Sequence, residues 1–311
     1  MPPGVLAVVG PTAVGKTALA LALAEQLPVE IVSADSRAVY RWMDIGTAKP
    51  TLEERQRVPH HLIDVADPDE DYSLAVYQTQ ARAAIERIAA RGRVPLLVGG
   101  AGLYVSAVCD RLELPDVPPD VAFRDRYARR AQSEGWQSLQ RELAEVDPGS
   151  AQRIDPRNVR RVIRALEVFY ATGRRFSEWQ TPDGSSEPRA DCLLIGLRLE
   201  RQELYARIDR RIDAWMGGGL IEEVRSLLQR GFAPSLPSMS SLGYRQVAQH
   251  LAGELSLGDA VARFKLATHQ YLKRQLTWFG ARPAIHWFDA STITPDDIVG
   301  LWSASAEGRL P

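Results

Sequence analysis

VLAVVGPTAVGKT, residues 5–17, decides how the rest of the chain is read. Its first five residues are a continuous apolar run that ends at a glycine. Such a run predicts a strand buried on both faces, as in a parallel sheet. The next eight, Gly10, Pro11, Thr12, Ala13, Val14, Gly15, Lys16 and Thr17, fit G-x-x-x-x-G-K-[ST] at every fixed position. They lie between that strand and a helical stretch at 18–27, the context the motif requires. The glycines let backbone N–H groups turn inward on phosphate oxygens, and the helix N-terminus adds a favourable dipole. Lys16 brings a point charge, and the Thr17 hydroxyl can ligate Mg2+. The loop says phosphate without saying whose: a nucleoside triphosphate and any other diphosphate meet the same donors.

Working outward, residues 30–33 (EIVS), 94–98 (VPLLV) and 192–197 (CLLIGL) are further short apolar runs separated by helical patterns. Ser73 stands where it can cap a long amphipathic helix, with Gly92 just past its end. Strands alternating with helices predict an α/β chain with a doubly wound parallel sheet. Pro115, Pro118 and Pro119 interrupt that texture, since proline continues neither a helix nor a central strand. From 121 to 179 the pattern is helical and rich in arginine, and a polar stretch, TPDGSSEPRA, follows at 181–190. A lone strand at 192 needs a sheet to join. The expected organisation is therefore one core domain, residues 1–118 and 190–311, carrying a helical insertion at 119–189. Two domains in series are the alternative. Helices are expected next at 201–216, 220–229, 244–251 and 256–279, and an edge strand at 284–288.

Composition sets the limits on function. At 45% hydrophobic and 25% charged, the 311 residues are those of an ordinary globular protein. The net charge of -1 means that a nucleic-acid partner has to show as a local patch. The insertion supplies one: between 153 and 175 stand Arg153, Arg157, Arg160, Arg161, Arg164, Arg174 and Arg175 against only Asp155 and Glu167. Arg124, Arg126, Arg129 and Arg130 form a second cluster. Arginines on helices grip phosphates or stack on unpaired bases; the competing reading is a solvated helix face. Cys109 and Cys192 are too few and too far apart in sequence for a disulfide framework or a zinc cluster. None of the five histidines shows metal-ligand spacing. No apolar run reaches the length of a membrane span and no export signal is evident, so the cytoplasm is the default expectation.

Asp35 follows the second strand directly. Ligands of open α/β sheets gather beyond the carboxyl ends of the strands, so Asp35 is expected to face the phosphate loop. There it is either a general base or the cap of the next turn. The polar loop DIGTAKP at 44–50 is either a closure over the site or a surface connection. Loop and carboxylate alone fit a small-molecule kinase that uses ATP; a nucleotide-binding switch or an RNA-binding module is the remaining possibility.

Longer motifs narrow the choice. GPTAVGKT is followed in order by SADSRAVYRWMDIGTAKP (33–50), PHHLID (59–64), LLVGGAGLY (96–104), RALEV (164–168), GLIEEV (219–224), SLGYRQ (241–246) and KRQLTWF (273–279). Together they cover nearly the whole chain and resemble the tRNA dimethylallyltransferase (isopentenyltransferase) family. The resemblance implies a P-loop NTPase-like core with a helical tRNA-binding insertion. It implies transfer of the prenyl group of dimethylallyl diphosphate to the exocyclic amine of the adenosine 3′ of the anticodon, with Mg2+ on Thr17. Lys16, Thr17 and Asp35 are then the catalytic groups, and the loop holds the diphosphate. The anticodon stem-loop is expected at Asp35, Ser36, Arg37, Ala38, Ala101, Arg124, Val159, Arg160, Arg161, Gly243, Tyr244, Arg245 and Gln246. Two positions depart from the family: Ala101 stands where a threonine is frequent, and Ala38 where many relatives carry glutamine. A monomer is the default assembly.

Overall fold

A computed structural model of the chain describes residues 4–110, 112–179 and 191–306. It falls into two compact units, residues 1–110 with 188–311, and residues 111–187. The crossing into the second unit comes earlier than the prolines at 115–119 suggest. Val117 already packs against the core of the second unit, and its carbonyl accepts from Arg164 Nη2 at 3.0 Å. The polar stretch at 181–190 lies outside the described residues.

The first unit is built on β1 (Val5–Val9), α1 (Lys16–Leu23), β2 (Val29–Ala34), α2 (Leu52–Arg57), β3 (His60–His61), α3 (Leu74–Ala90), β4 (Val94–Gly99) and α4 (Gly102–Cys109). The chain leaves for the second unit through α5 (Val121–Glu134), α6 (Trp136–Val146), α7 (Pro148–Arg153) and α8 (Val159–Thr172). It returns with β5 (Cys192–Arg198), α9 (Arg201–Gly217), α10 (Leu220–Gln229), α11 (Tyr244–Leu251), α12 (Leu257–Gly280), β6 (Ile285–Asp289) and α13 (Pro295–Ala306). The strands form one parallel sheet in the order β3-β2-β4-β1-β5-β6.

β5 does rejoin the sheet, with Val5 opposite Cys192 and Val8 opposite Ile195. β1 thus lies between β4 and β5, and all five of its residues are buried, as the apolar run required. Because β1 is central and its neighbours come from opposite directions in the chain order, a crevice opens at its carboxyl end. The phosphate loop, Asp35 after β2 and Gly100 after β4 all leave the sheet on that side. Ser73 accepts from Val76 N and caps α3, as its position suggested. Trp278 and Phe279 pack with the core. Three elements escape the sequence reading: α2 and β3, which are too short to show a period, and α13.

In the second unit α5, α6 and α8 surround a separate core that includes Tyr127, Leu139, Leu143, Val162 and Leu166. Each such buried aliphatic side chain contributes about 1.5–3 kcal/mol by leaving water. Phe123 packs against this core and stacks on Tyr127 with ring centroids 4.2 Å apart.

Candidate active site

Gly10 opens the phosphate loop at φ 145°, where a side chain would be strained and its Cβ would stand 2.7 Å from the Leu197 carbonyl. Gly15 caps α1 in the left-handed region with no side-chain cap, so the first-turn N–H groups have no such acceptor. Lys16 Nζ folds back on the loop and donates to the carbonyls of Gly10 at 3.0 Å and Pro11 at 2.7 Å. Burial pushes the Lys16 ammonium down to about 8; Asp35 opposes that shift and Arg211 reinforces it.

Asp35 caps the next turn and also faces the phosphate loop. Its Oδ1 accepts from Arg37 N at 2.8 Å and Ala38 N at 3.3 Å, which caps the turn after β2. It also lines a cavity of about 710 Å³ together with Thr12, Lys16, Thr17, Ser36 and Arg37. A smaller cavity of about 120 Å³ shares Thr12, Lys16, Thr17 and Asp35 and is lined on one side by Ile31, Ala38, Ile63 and Val98 and elsewhere by polar groups such as Ser33, His60 and Gln275. Ala38 is 4% exposed and meets that cavity through its methyl group. Ala101 sits at the N-cap of α4 without a side-chain cap bond.

Helices from the C-terminal half complete the cavity with residues that the sequence reading missed. Arg207, Arg211 and Trp215 of α9 and Tyr271 and Arg274 of α12 line it. Arg211 Nη2 donates to Thr12 Oγ1 at 2.6 Å, its guanidinium lies 4.8 Å from the Trp215 ring centroid, and its Nε is buried with no hydrogen-bond partner among the described residues. Burial lowers the Arg211 pKa, and Asp35 opposes this. Gln275 ties the loop to β4: its Oε1 accepts from Thr12 N at 2.9 Å and its Nε2 donates to Gly100 O at 2.9 Å. The available signal was periodic: Arg207, Arg211 and Trp215 recur every four residues beside the buried Leu204, Ile208 and Ile212.

Two sets of expected RNA contacts need correction. Tyr244 is 0% exposed and donates its hydroxyl to Glu223 Oε1 at 2.5 Å, while Gln246 is 3% exposed and accepts from Gly243 N at 2.9 Å. Gly243 is itself buried against Phe264. These three hold the start of α11 together, and only Arg245 of that motif is exposed. In the second unit the arginine excess is partly neutralised. Glu167, 2% exposed, accepts from Arg124 Nε at 2.9 Å and Nη2 at 3.0 Å, from Arg164 Nη1 at 2.6 Å and from Asp120 N at 2.8 Å. Arg124 therefore staples α5 to α8, and Arg164 ties α8 to the segment before α5. Arg160 and Arg161 are exposed beside the half-buried Val159 and form no ion pair among the described residues. Among those residues no group of three or more His, Cys, Asp or Glu is placed to hold a metal, and His60 and His61 bond to Val58 O and Glu30.

Comparison with known proteins gives this geometry a family. IPP transferase matches residues 38–282 and isopentenyl transferase residues 3–65. The chain belongs to the IPP transferase family. Relatives in that family named tRNA dimethylallyltransferase include those of Thermomicrobium roseum, 51% identical over 92% of this chain and 86% of the relative, and Roseiflexus castenholzii, 55% identical over 90% of each. The solved tRNA isopentenylpyrophosphate transferase of Bacillus halodurans is 40% identical, with a TM-score of 0.71 over 98% of this chain and 97% of that one. A eukaryotic dimethylallyltransferase acting on tRNA reaches a TM-score of 0.82 at 27% identity, covering 98% and 80%. This IPP transferase is thus a prenyl-transferring enzyme with a P-loop NTPase-like core, and the kinase alternative falls away. No helix among its described residues is long and apolar enough to cross a membrane.

Proposed function

We propose that this IPP transferase moves the dimethylallyl group of dimethylallyl diphosphate to the N6 amine of the adenosine 3′ of a tRNA anticodon, in the cytoplasm. One observation carries the proposal: a cation-lined seat, a carboxylate and a recess with an apolar side share the same walls. Lys16, Arg211 and the loop N–H groups suit a diphosphate, and the unpartnered Arg211 Nε is a buried donor in search of an acceptor. The recess beside Ile31, Ala38 and Val98 suits a short hydrocarbon.

The chemistry follows from these positions. The bond from prenyl C1 to the diphosphate oxygen breaks, a bond from the adenine N6 to C1 forms, and N6 loses a proton. Negative charge grows on the leaving diphosphate, where Lys16 and the loop amides stabilise it. Asp35 Oδ1 is committed to its turn, so Oδ2 accepts the hydrogen bond and the proton of the amine. An aromatic amine is a poor nucleophile, and orientation with proton removal is what a carboxylate supplies. Mg2+ fits at Thr17: this residue is exposed and lines the cavity, and the ion takes one or two protein ligands together with phosphates and water. When bound it would neutralise charge on the diphosphate. The base has to leave its stack to reach Asp35, while Arg160 and Arg161 hold backbone phosphates.

The test is direct. Purified protein is incubated with unmodified tRNA, Mg2+ and labelled dimethylallyl diphosphate, beside a parallel reaction with ATP. Label is expected in the tRNA. Phosphate transfer from ATP with none in the RNA refutes the proposal.

A further inference from the structure

We infer that Glu223 sets the length of the prenyl group that this enzyme accepts, an inference that rests on the smaller cavity being the prenyl seat. Glu223 lines neither cavity and acts through the loop at 44–50. Three successive peptide N–H groups of that loop converge on its carboxylate. Oε2 accepts from Asp44 N at 3.0 Å and Ile45 N at 2.9 Å, and Oε1 accepts from Gly46 N at 3.5 Å and from the Tyr244 hydroxyl at 2.5 Å. Such a row of N–H groups is an anion-binding concavity, filled here by a side chain of the protein itself.

The docking leaves no slack. A Cβ on Gly46 would stand 2.5 Å from the Tyr244 ring and 3.0 Å from Leu220. Immediately beyond, Ala48 is held at φ 54°, a backbone conformation that residues with a side chain seldom adopt. Ala48 N donates to Ile45 O at 3.0 Å and Lys49 N to Asp44 O at 3.1 Å. The buried Lys49 ammonium closes the far side on Asp44, Asp64 and Tyr40 O. Thr47 and Ala48, between these two clamps, and Pro50 just past them form one wall of the smaller cavity, and Thr47 and Ala48 also border the larger one.

That cavity holds about 120 Å³, with Ile31, Ala38, Ile63 and Val98 on its apolar side, and a cavity of about 150 Å³ takes up one benzene ring. A branched five-carbon chain fits against Ile31, Ala38, Ile63 and Val98, and a longer chain gains room on that side only when the wall at Thr47 and Ala48 moves. The wall stays because three N–H groups have Glu223 to bond to; without it they turn to water and the strain at Ala48 is released.

The experiment compares dimethylallyl and geranyl diphosphate as donors to unmodified tRNA, reading the ratio of their kcat/KM values. Glu223→Ala is expected to raise the geranyl-to-dimethylallyl ratio at least tenfold, and Glu223→Gln, which keeps one acceptor oxygen, by less. Gly46→Ala displaces the same wall from the loop side through its clash with Tyr244, so it gives the same shift if Glu223→Ala does not fold. Loss of stability alone lowers both donors together and leaves the ratio unmoved. An unmoved ratio in a folded Glu223→Ala or Gly46→Ala protein overturns the inference while the proposed function stands. A wild-type protein that transfers neither donor overturns both.

Discussion

Arg211 and Thr12 stand 199 positions apart in the chain, yet a 2.6 Å hydrogen bond from Arg211 Nη2 to Thr12 Oγ1 joins them. The bond fixes a second cation beside Lys16 over the phosphate loop, at the seat proposed for the diphosphate. A charge-assisted hydrogen bond is worth about 1.5–3 kcal/mol. Arg211→Ala should therefore raise the KM for the diphosphate donor roughly 10–100-fold, with the KM for tRNA little changed. Arg211→Lys should fail to restore it, because a lysine cannot reproduce the planar fork stacked on Trp215. Steady-state kinetics with each substrate varied in turn decide this, and an unchanged donor KM would remove Arg211 from the seat.

Asp35→Asn separates the two roles of that residue. Asparagine keeps the oxygen that accepts from Arg37 N and Ala38 N, so the turn survives, but its amide accepts no proton. Single-turnover transfer should fall about 10²–10⁴-fold while donor binding persists. Near-normal turnover would leave Asp35 as a cap only.

The Lys16 ammonium gives donor binding a pH dependence. Its folded pKa is depressed to about 8 from 10.5, so the free enzyme loses this charge as pH rises past 8. Donor affinity should decline from there, and Asp35→Asn, which removes the carboxylate that raises Lys16, should move the decline to lower pH. The sign for stability is opposite. Between about 8 and 10.5 the unfolded chain binds the proton that the folded chain has lost, so this group makes the apo protein more stable as pH climbs through that window. Titration of donor binding against pH checks the first claim, and a donor affinity flat from pH 7 to 9.5 would contradict it.

Charge does two different jobs in the second unit. Glu167→Gln leaves Arg124 and Arg164 without their buried carboxylate. These arginines are partly exposed, at 37% and 27%, so the loss should sit near the low end of the range for a broken buried pair, about 3 kcal/mol. Thermal unfolding measures it. Reversing Arg160 and Arg161 to glutamate should leave the unfolding temperature nearly alone and flatten the salt dependence of tRNA binding. An unaltered slope would return both arginines to the solvated face of α8.

The sequence by itself determined the parts whose physics is local. A buried strand needs only its own apolar run, and β1 came out at the residues read for it. A phosphate loop needs only its glycines, lysine and hydroxyl in fixed spacing, and a helix such as α10 or α11 only its period. Ser73 could be read as a cap because a cap bonds to N–H groups three residues away. Even the return of the chain to the sheet was legible, since a strand at 192 had to join something.

Tertiary structure alone decided which side chains surround that loop. Arg211 and Gln275 reach Thr12 across 199 and 263 positions, and Glu223 reaches Asp44 across 179. Nothing local announces a partner so far away. It also decided which conspicuous residues face inward: Tyr244 and Gln246 are interior props, and Arg124 grips Glu167. The loop Gly10 to Thr17 pointed to a phosphate site from its own spacing, but the shape of the space around it exists only once α1, α9, α12 and the sheet have packed.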